Sequence, residues 1–304
     1  MGIVDTLYVG PLGPGAIAAV GMSSGVFMAI AIFGMGLMLG LDTLVSHAWG
    51  ARRPDECLDW LRHGTTLALL VAPAAMLLTW LAVSTMGTWH LNPDIERLAR
   101  PYLSVIAVSA PPLMLYAAFR RYLQGIHTVR PVMAALLSAN LVNAVANDVL
   151  IYGRFGLPAL GVTGSAWATT LARIYMAVFL WIAITRAHRR LGLATGWVGL
   201  GRLTARLRRL LALGGPAAAQ ITLEVGVFTV ATALAARLDT AQAAAHQLAL
   251  NIASVVFMVP LGLASSGAVR VGHAMGAGRV DRARLAGWTA LGVGAAVMTM
   301  LGLL

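Results

Sequence analysis

From Ala16 to Leu41, and again from Gly64 to Trp89, the chain carries no charged side chain. Runs of that length decide what the chain can become. A helix crossing about 30 Å of hydrocarbon needs roughly 20 apolar residues, and an open strand there would leave backbone groups unpaired. The pattern predicts nine apolar segments: 1–9, 16–41, 64–89, 101–119, 131–152, 159–185, 210–236, 243–269 and 285–304. Apolar residues make up 59% of the chain and charged ones 11%, against about 25% charged in a soluble domain. An all-α polytopic membrane protein follows, with the bilayer as partner. Prolines 73, 111, 112, 216 and 260 fall inside these segments; membrane bundles tolerate them.

A second feature gives the plan of the bundle. Residues 47–55 read HAWGARRPD and residues 273–281 read HAMGAGRVD, identical at six of nine positions. At the same offset of 226, Gly36-Leu37 meets Gly262-Leu263 and Val45 meets Val271. Motif and hydropathy align together, so the chain reads as a duplicated bundle, a common plan of secondary transporters. Two six-helix lobes related by a pseudo-two-fold are expected. Residues 1–200 supply the first lobe, helices 1–6, with the first helix truncated. Residues 201–304 begin the second, helices 7–9, with the rest missing. By this reading the sequence is a fragment of a twelve-helix protein. The motif itself, a Gly-Ala turn followed by Arg and Asp, is expected to end one helix and start the next.

The net charge of +11 would suggest nucleic acid in a soluble chain, but placement explains it better. All 22 basic residues are arginine, and 17 of them fall in the loops after segments two, four, six and eight. Arginine-rich short loops stay in the cytoplasm, so these even-numbered loops are expected to face inward, with no nucleic-acid partner. The single cysteine, Cys57, excludes an internal disulfide. No nucleophile pattern and no phosphate cradle is present, so an enzyme is not expected, nor a cofactor beyond a coupling ion.

Ionisable and amide groups within spans are the candidate site. A charge at a helix centre costs about 2.5–3.5 kcal/mol or more. Glu224 sits mid-segment with Gln220 and Phe228 four residues either side on its face, which suits a carboxyl that a proton or Na⁺ can neutralise. Asp5 is the same kind of residue in the first helix. In segment five, Asn140, Asn143 and Asn147 fall within about 60° of one another around a helix, with Asp148 on the edge of the stripe. That stripe reads equally as interhelical glue or as the lining of a watered cavity that helps coordinate a cation. Gln247 in segment eight is a further polar candidate for the cavity. Arg173, inside segment six, is expected to find a carboxylate or carbonyl partner, and Asp42 to form a boundary ion pair.

Several stretches together carry a family resemblance: GLDTLVSHAWGARRPDECLDWLRHG, PPLMLYAAFRRYLQG, residues 140–153, GVTGSAWATTLARI and AAHQLALNIASVVFMVPLGLASSGAVRVGHAMGAG. The chain resembles the MATE (multidrug and toxic compound extrusion) transporters, and ITLEVGVF points to their NorM-like branch. The resemblance implies two six-helix lobes around a central cavity, in a bacterial inner membrane. It implies efflux of small amphipathic cationic drugs by antiport against Na⁺ or H⁺, through alternating access, by a protein expected to be monomeric. VDTLYVGPLG maps the first-helix acid of the family to Asp5, and the seventh-helix acid maps to Glu224, so both are cation-coupling candidates and Na⁺ ligands. The DinF-like branch has an aspartate where this chain has Asn147. Two other readings bear on the same residues. A lipid-linked oligosaccharide flippase of the same superfamily would carry several arginines within spans, where only Arg173 qualifies. A membrane-embedded transferase would need a His/Asp or Asp-rich boundary motif, which is not found.

Overall fold

The structure is a computed structural model that describes residues 2–191, 203–235 and 240–302. Those residues form α1 (Gly2–Val9), α2 (Pro14–Leu37), α3 (Gly40–Gly50), α4 (Pro54–Thr85), α5 (Pro93–Ala107), α6 (Ala110–Gly125), α7 (Arg130–Tyr152), α8 (Val162–Leu191), α9 (Leu203–Ala235), α10 (Thr240–Gly276) and α11 (Val280–Gly302). No strand occurs among the described residues. Pro14–Gly50, Pro54–Trp89, Arg130–Tyr152, Val162–Arg189, Ala205–Phe228 and Val280–Gly302 are each long and apolar enough to cross a membrane.

Two expected spans are not single straight helices. The second breaks between α2 and α3, where the Met38 amide bonds Met35 O and the Leu39 amide bonds Gly36 O, tightening the turn from four residues to three. The fourth is α5 plus α6, bent by 48°. Pro111 and Pro112 open α6 without amide hydrogens, so the ladder cannot run through from α5.

Helix α7 is apolar outward and small or polar inward. Along α7, Met133, Leu137, Leu141 and Val145 form an exposed ridge at four-residue spacing. Ala135, Ala139, Asn143 and Asn147 form the buried ridge on its other side. Small residues there let backbones meet, which drives packing where water supplies no hydrophobic force. A side chain at Gly164 of α8 would lie 2.6 Å from Leu150 O of α7.

The repeated motif is one helix-ending turn built twice. Ala51 N bonds His47 O and Arg53 N bonds Ala48 O; at the second copy Ala277 N bonds His273 O and Arg279 N bonds Ala274 O. Arg52 takes the left-handed conformation at φ 55°, and its counterpart Gly278 does so at φ 71°. These are Schellman closures, and Pro54 starts α4 directly after the first. The two copies also touch. A Cβ on Gly50 would lie 2.1 Å from His273 O, and one on Gly276 would lie 2.0 Å from His47 O. Each residue in one contact is the repeat partner of a residue in the other, so a two-fold axis passes between the motifs. The same approach continues along the helices, with Gly36 against Ala218 and Gly214 against Leu37 O. The expected lobe boundary near residue 200 lies outside the described residues.

Candidate functional site

The short helix α1 is held against α7 and α8, and its one acid is the centre of the site. Asp5 is 4% exposed. Asn143 Nδ2 donates to Asp5 Oδ1 at 3.0 Å, Asn147 Nδ2 donates to the same oxygen at 2.8 Å, and Thr169 Oγ1 donates to Oδ2 at 2.8 Å. Asn143 Nδ2 also reaches Thr169 Oγ1 at 3.3 Å. Tyr152 Oη donates to Tyr8 O at 2.7 Å, fixing α1 to α7 beyond the acid. The four-residue step from Asn143 to Asn147 puts both amides on one face, and both are fully buried.

Asp5 accepts from three donors, an arrangement that a charged carboxyl can fill. Each bond to a charged group is worth about 1.5–3 kcal/mol, which offsets a desolvation penalty of several kcal/mol per buried ion. The amide oxygens Asn143 Oδ1 and Asn147 Oδ1 are buried and have no hydrogen-bond partner among the described residues. Carboxylate, amide carbonyl and hydroxyl oxygens are the donor set of a hard cation.

The other predicted residues stand apart from this cluster. Asn140 is half-buried and donates to Leu136 O of its own helix at 2.8 Å. Asp148 pairs with Arg154 at 3.2 Å. Of the stripe, then, two members converge on Asp5 and two do not. On α9, Glu224 is half-buried while Gln220 and Phe228 are exposed. The side chain of Gln247 lies outside the described residues. Asp42 is buried and pairs with Arg121 at 2.8 Å, the boundary ion pair expected.

Two features were not foreseen. Thr169 completes the cage, and threonine is too common in membrane helices to signal this alone. Among the described residues Arg173 takes neither a carboxylate nor a carbonyl. Its Nη1 donates to Ser109 Oγ, and its guanidinium lies 4.7 Å from the Phe27 ring centroid. Phe27 offers its electron-rich face, and Ser109 lies at the α5–α6 bend, so this half-buried cation is held by a hydroxyl and a ring. Beside the motif turns a cleft of about 780 Å³ is lined in part by Arg52, Arg270, Arg279 and Arg282. Four guanidinium groups would repel an organic cation there.

Comparison with known proteins places this geometry in context. The MatE family profile matches residues 1–149 and 216–304. Multidrug resistance protein MdtK of Yersinia pestis (strain Pestoides F) is 31% identical over 299 residues, which is 97% of this chain and 65% of the relative. MdtK of Yersinia enterocolitica serotype O:8 gives the same figures. The chain thus spans about 65% of the length of the curated relatives it matches. Among solved structures, the eukaryotic MATE transporter AtDTX14 superposes with a TM-score of 0.83 at 20% identity, over 96% of this chain and 64% of that one. A MOP superfamily transporter from Pyrococcus furiosus superposes at 0.82 and 22% identity, over 97% of this chain and 65% of its own.

Proposed function

The chain belongs to the MATE family, and from that premise we propose that it exports amphipathic organic cations from a bacterial cell in exchange for H⁺ or Na⁺. The curated relatives' name, multidrug resistance protein, supports the cargo class, and the long apolar helices support a membrane setting. Residues 1–200 and 201–304 act as the two lobes, and the arginine-rich loops, both motif turns among them, face the cytoplasm. The single observation that carries the ion half of the reading is the buried Asp5 carboxylate beside two unpartnered amide oxygens.

The exchange follows from what each group can do. Three donors, from Asn143, Asn147 and Thr169, converge on Asp5. A proton arriving at Asp5 turns one oxygen into a donor, and an Asn143 or Asn147 amide that rotates by half a turn answers with its carbonyl oxygen. Na⁺ makes the same demand, for oxygens in place of N–H groups. One pair of amides therefore serves both states of the carboxyl. Glu224 is the second acid, in the other lobe, with Gln220 and Phe228 beside it for an organic cation. Drug and coupling ion favour opposite conformations, which makes each expel the other.

The driving force is sufficient without nucleotide hydrolysis. A cation entering gains about 2.3 kcal/mol per 100 mV, and a tenfold proton gradient adds about 1.4 kcal/mol. An exported monovalent drug cation gives back the same ~2.3 kcal/mol. A one-for-one exchange therefore runs on the ion gradient alone and sustains about a tenfold drug gradient, while a second entering proton brings in the potential as well. The test is ethidium efflux from proteoliposomes with Na⁺ and pH gradients imposed separately. Efflux driven by at least one gradient is expected. Ethidium movement indifferent to both would reject antiport.

A further inference from the structure

The interior of the first eight helices holds a charge that the exchange above does not use. Arg173 lies four residues beyond Thr169 on α8, which puts the two on one face a single turn apart. Thr169 holds Asp5 Oδ2. Among the described residues Arg173 forms no salt bridge; its contacts are the Ser109 hydroxyl and the Phe27 ring, both neutral. On α5 the charges of Glu96 and Arg100 pair with each other, and on α6 Arg121 is held by Asp42. Helix α2 offers Ser23, Ser24 and Phe27, and α5 offers Tyr102, whose hydroxyl meets Ser24 Oγ at 3.1 Å. Helix α7 offers Asn143 and Asn147, and its one acid, Asp148, is engaged by Arg154. Helix α8 adds Tyr175, which donates to Ser138 Oγ at 3.0 Å. Asp5 and Arg173 therefore lie in the same bundle, the acid held by Thr169 and the guanidinium carried one helical turn further along α8.

We propose that Arg173 is the built-in counter-charge of Asp5 and sets how tightly this lobe holds its coupling ion. The proposal rests on Asp5 being the cation site. With the site empty, the guanidinium and carboxylate balance, so the lobe is neutral and the ion can leave. With H⁺ or Na⁺ bound, the same region carries a net positive charge, and Arg173 pushes against the newcomer. A site built from Asp5 and the amides alone would keep its ion too long for exchange. Arg173 acts through Asp5 without touching the ion, as a positioning charge. Its support by a serine and an aromatic ring fits that role, since a salt-bridged arginine would have its field cancelled.

The experiment measures equilibrium ²²Na⁺ binding to the purified protein across a pH series, for wild type, Arg173→Gln, Arg173→Lys and Asp5→Asn. Removing the guanidinium charge should strengthen Na⁺ binding about tenfold at alkaline pH, the usual scale for one nearby charge. Arg173→Lys keeps the charge and should stay close to wild type, which a purely structural role would not predict. Should the glutamine variant not fold, Arg173→Met fills the space without a polar group to satisfy and carries the same expectation. Unchanged Na⁺ and proton affinities in the charge-removed variant, with binding lost in Asp5→Asn, would overturn the counter-charge and leave the site standing. Wild-type binding by Asp5→Asn would overturn the site and the counter-charge together.

Discussion

A methyl group at Gly50 or Gly276 should open the end of the molecule where the two motif copies meet. The Cβ of Gly50→Ala would sit 2.1 Å from His273 O, and that of Gly276→Ala 2.0 Å from His47 O. An ordinary carbon–oxygen approach is about 3.3 Å, so α3 and α10 must part by about 1 Å. The obstructing atoms are backbone carbonyls inside helices, which cannot swing aside as a flexible side chain would. Overpacking of this kind costs about 1–3 kcal/mol, and it falls only on the conformation in which the motifs touch. The gain from replacing a helical glycine by alanine, about 1 kcal/mol, falls on both conformations and cancels. The population should therefore shift about 5- to 150-fold toward a form with the motifs apart. Because the contacts are related by a two-fold, the two single variants should behave alike. The double variant should add little, since once the helices separate the second methyl meets nothing. Pulsed electron resonance between nitroxides at Arg53 and Arg284, in a Cys57→Ser background, reads the separation directly. Unaltered distance distributions in both folded single variants would refute the reasoning.

Two other outcomes concern single acids. Glu224→Gln keeps shape and hydrogen bonding while removing the charge, so it should abolish ion-driven ethidium efflux while leaving expression intact; wild-type ion dependence would assign Glu224 to structure alone. Asp42→Ala strands Arg121, half-buried opposite it at 2.8 Å, at a cost below the about 3–5 kcal/mol of a fully buried unpaired charge, read as a fall in melting temperature that Asp42→Asn should partly restore.

The charge-free runs and the repeat made the helical membrane plan legible, because lipid admits few ways to satisfy a backbone. The breaks inside spans were less visible. Hydropathy is blind to an α2–α3 break made by three-residue hydrogen bonds between apolar residues, although Pro111-Pro112 marked the other. The asparagine stripe was legible as spacing, yet spacing could not say that Asn143 and Asn147 would meet Asp5 while Asn140 turned to its own helix. That choice belongs to the packing of α1 against α7. Thr169 and the Ser109–Phe27 seat of Arg173 come from other helices and were out of reach for the same reason. The paired glycines were visible as repeated identities; their meeting across an axis was not.

The most direct measurement is the linkage between drug and ion at Asp5. Ethidium affinity of the purified protein, determined with and without saturating Na⁺ and at two pH values, gives a coupling factor for each ion. The account predicts a factor of about 5–150 for at least one ion, falling to near 1 in Asp5→Asn with the fold intact. A coupling factor in Asp5→Asn equal to that of the wild type would contradict it.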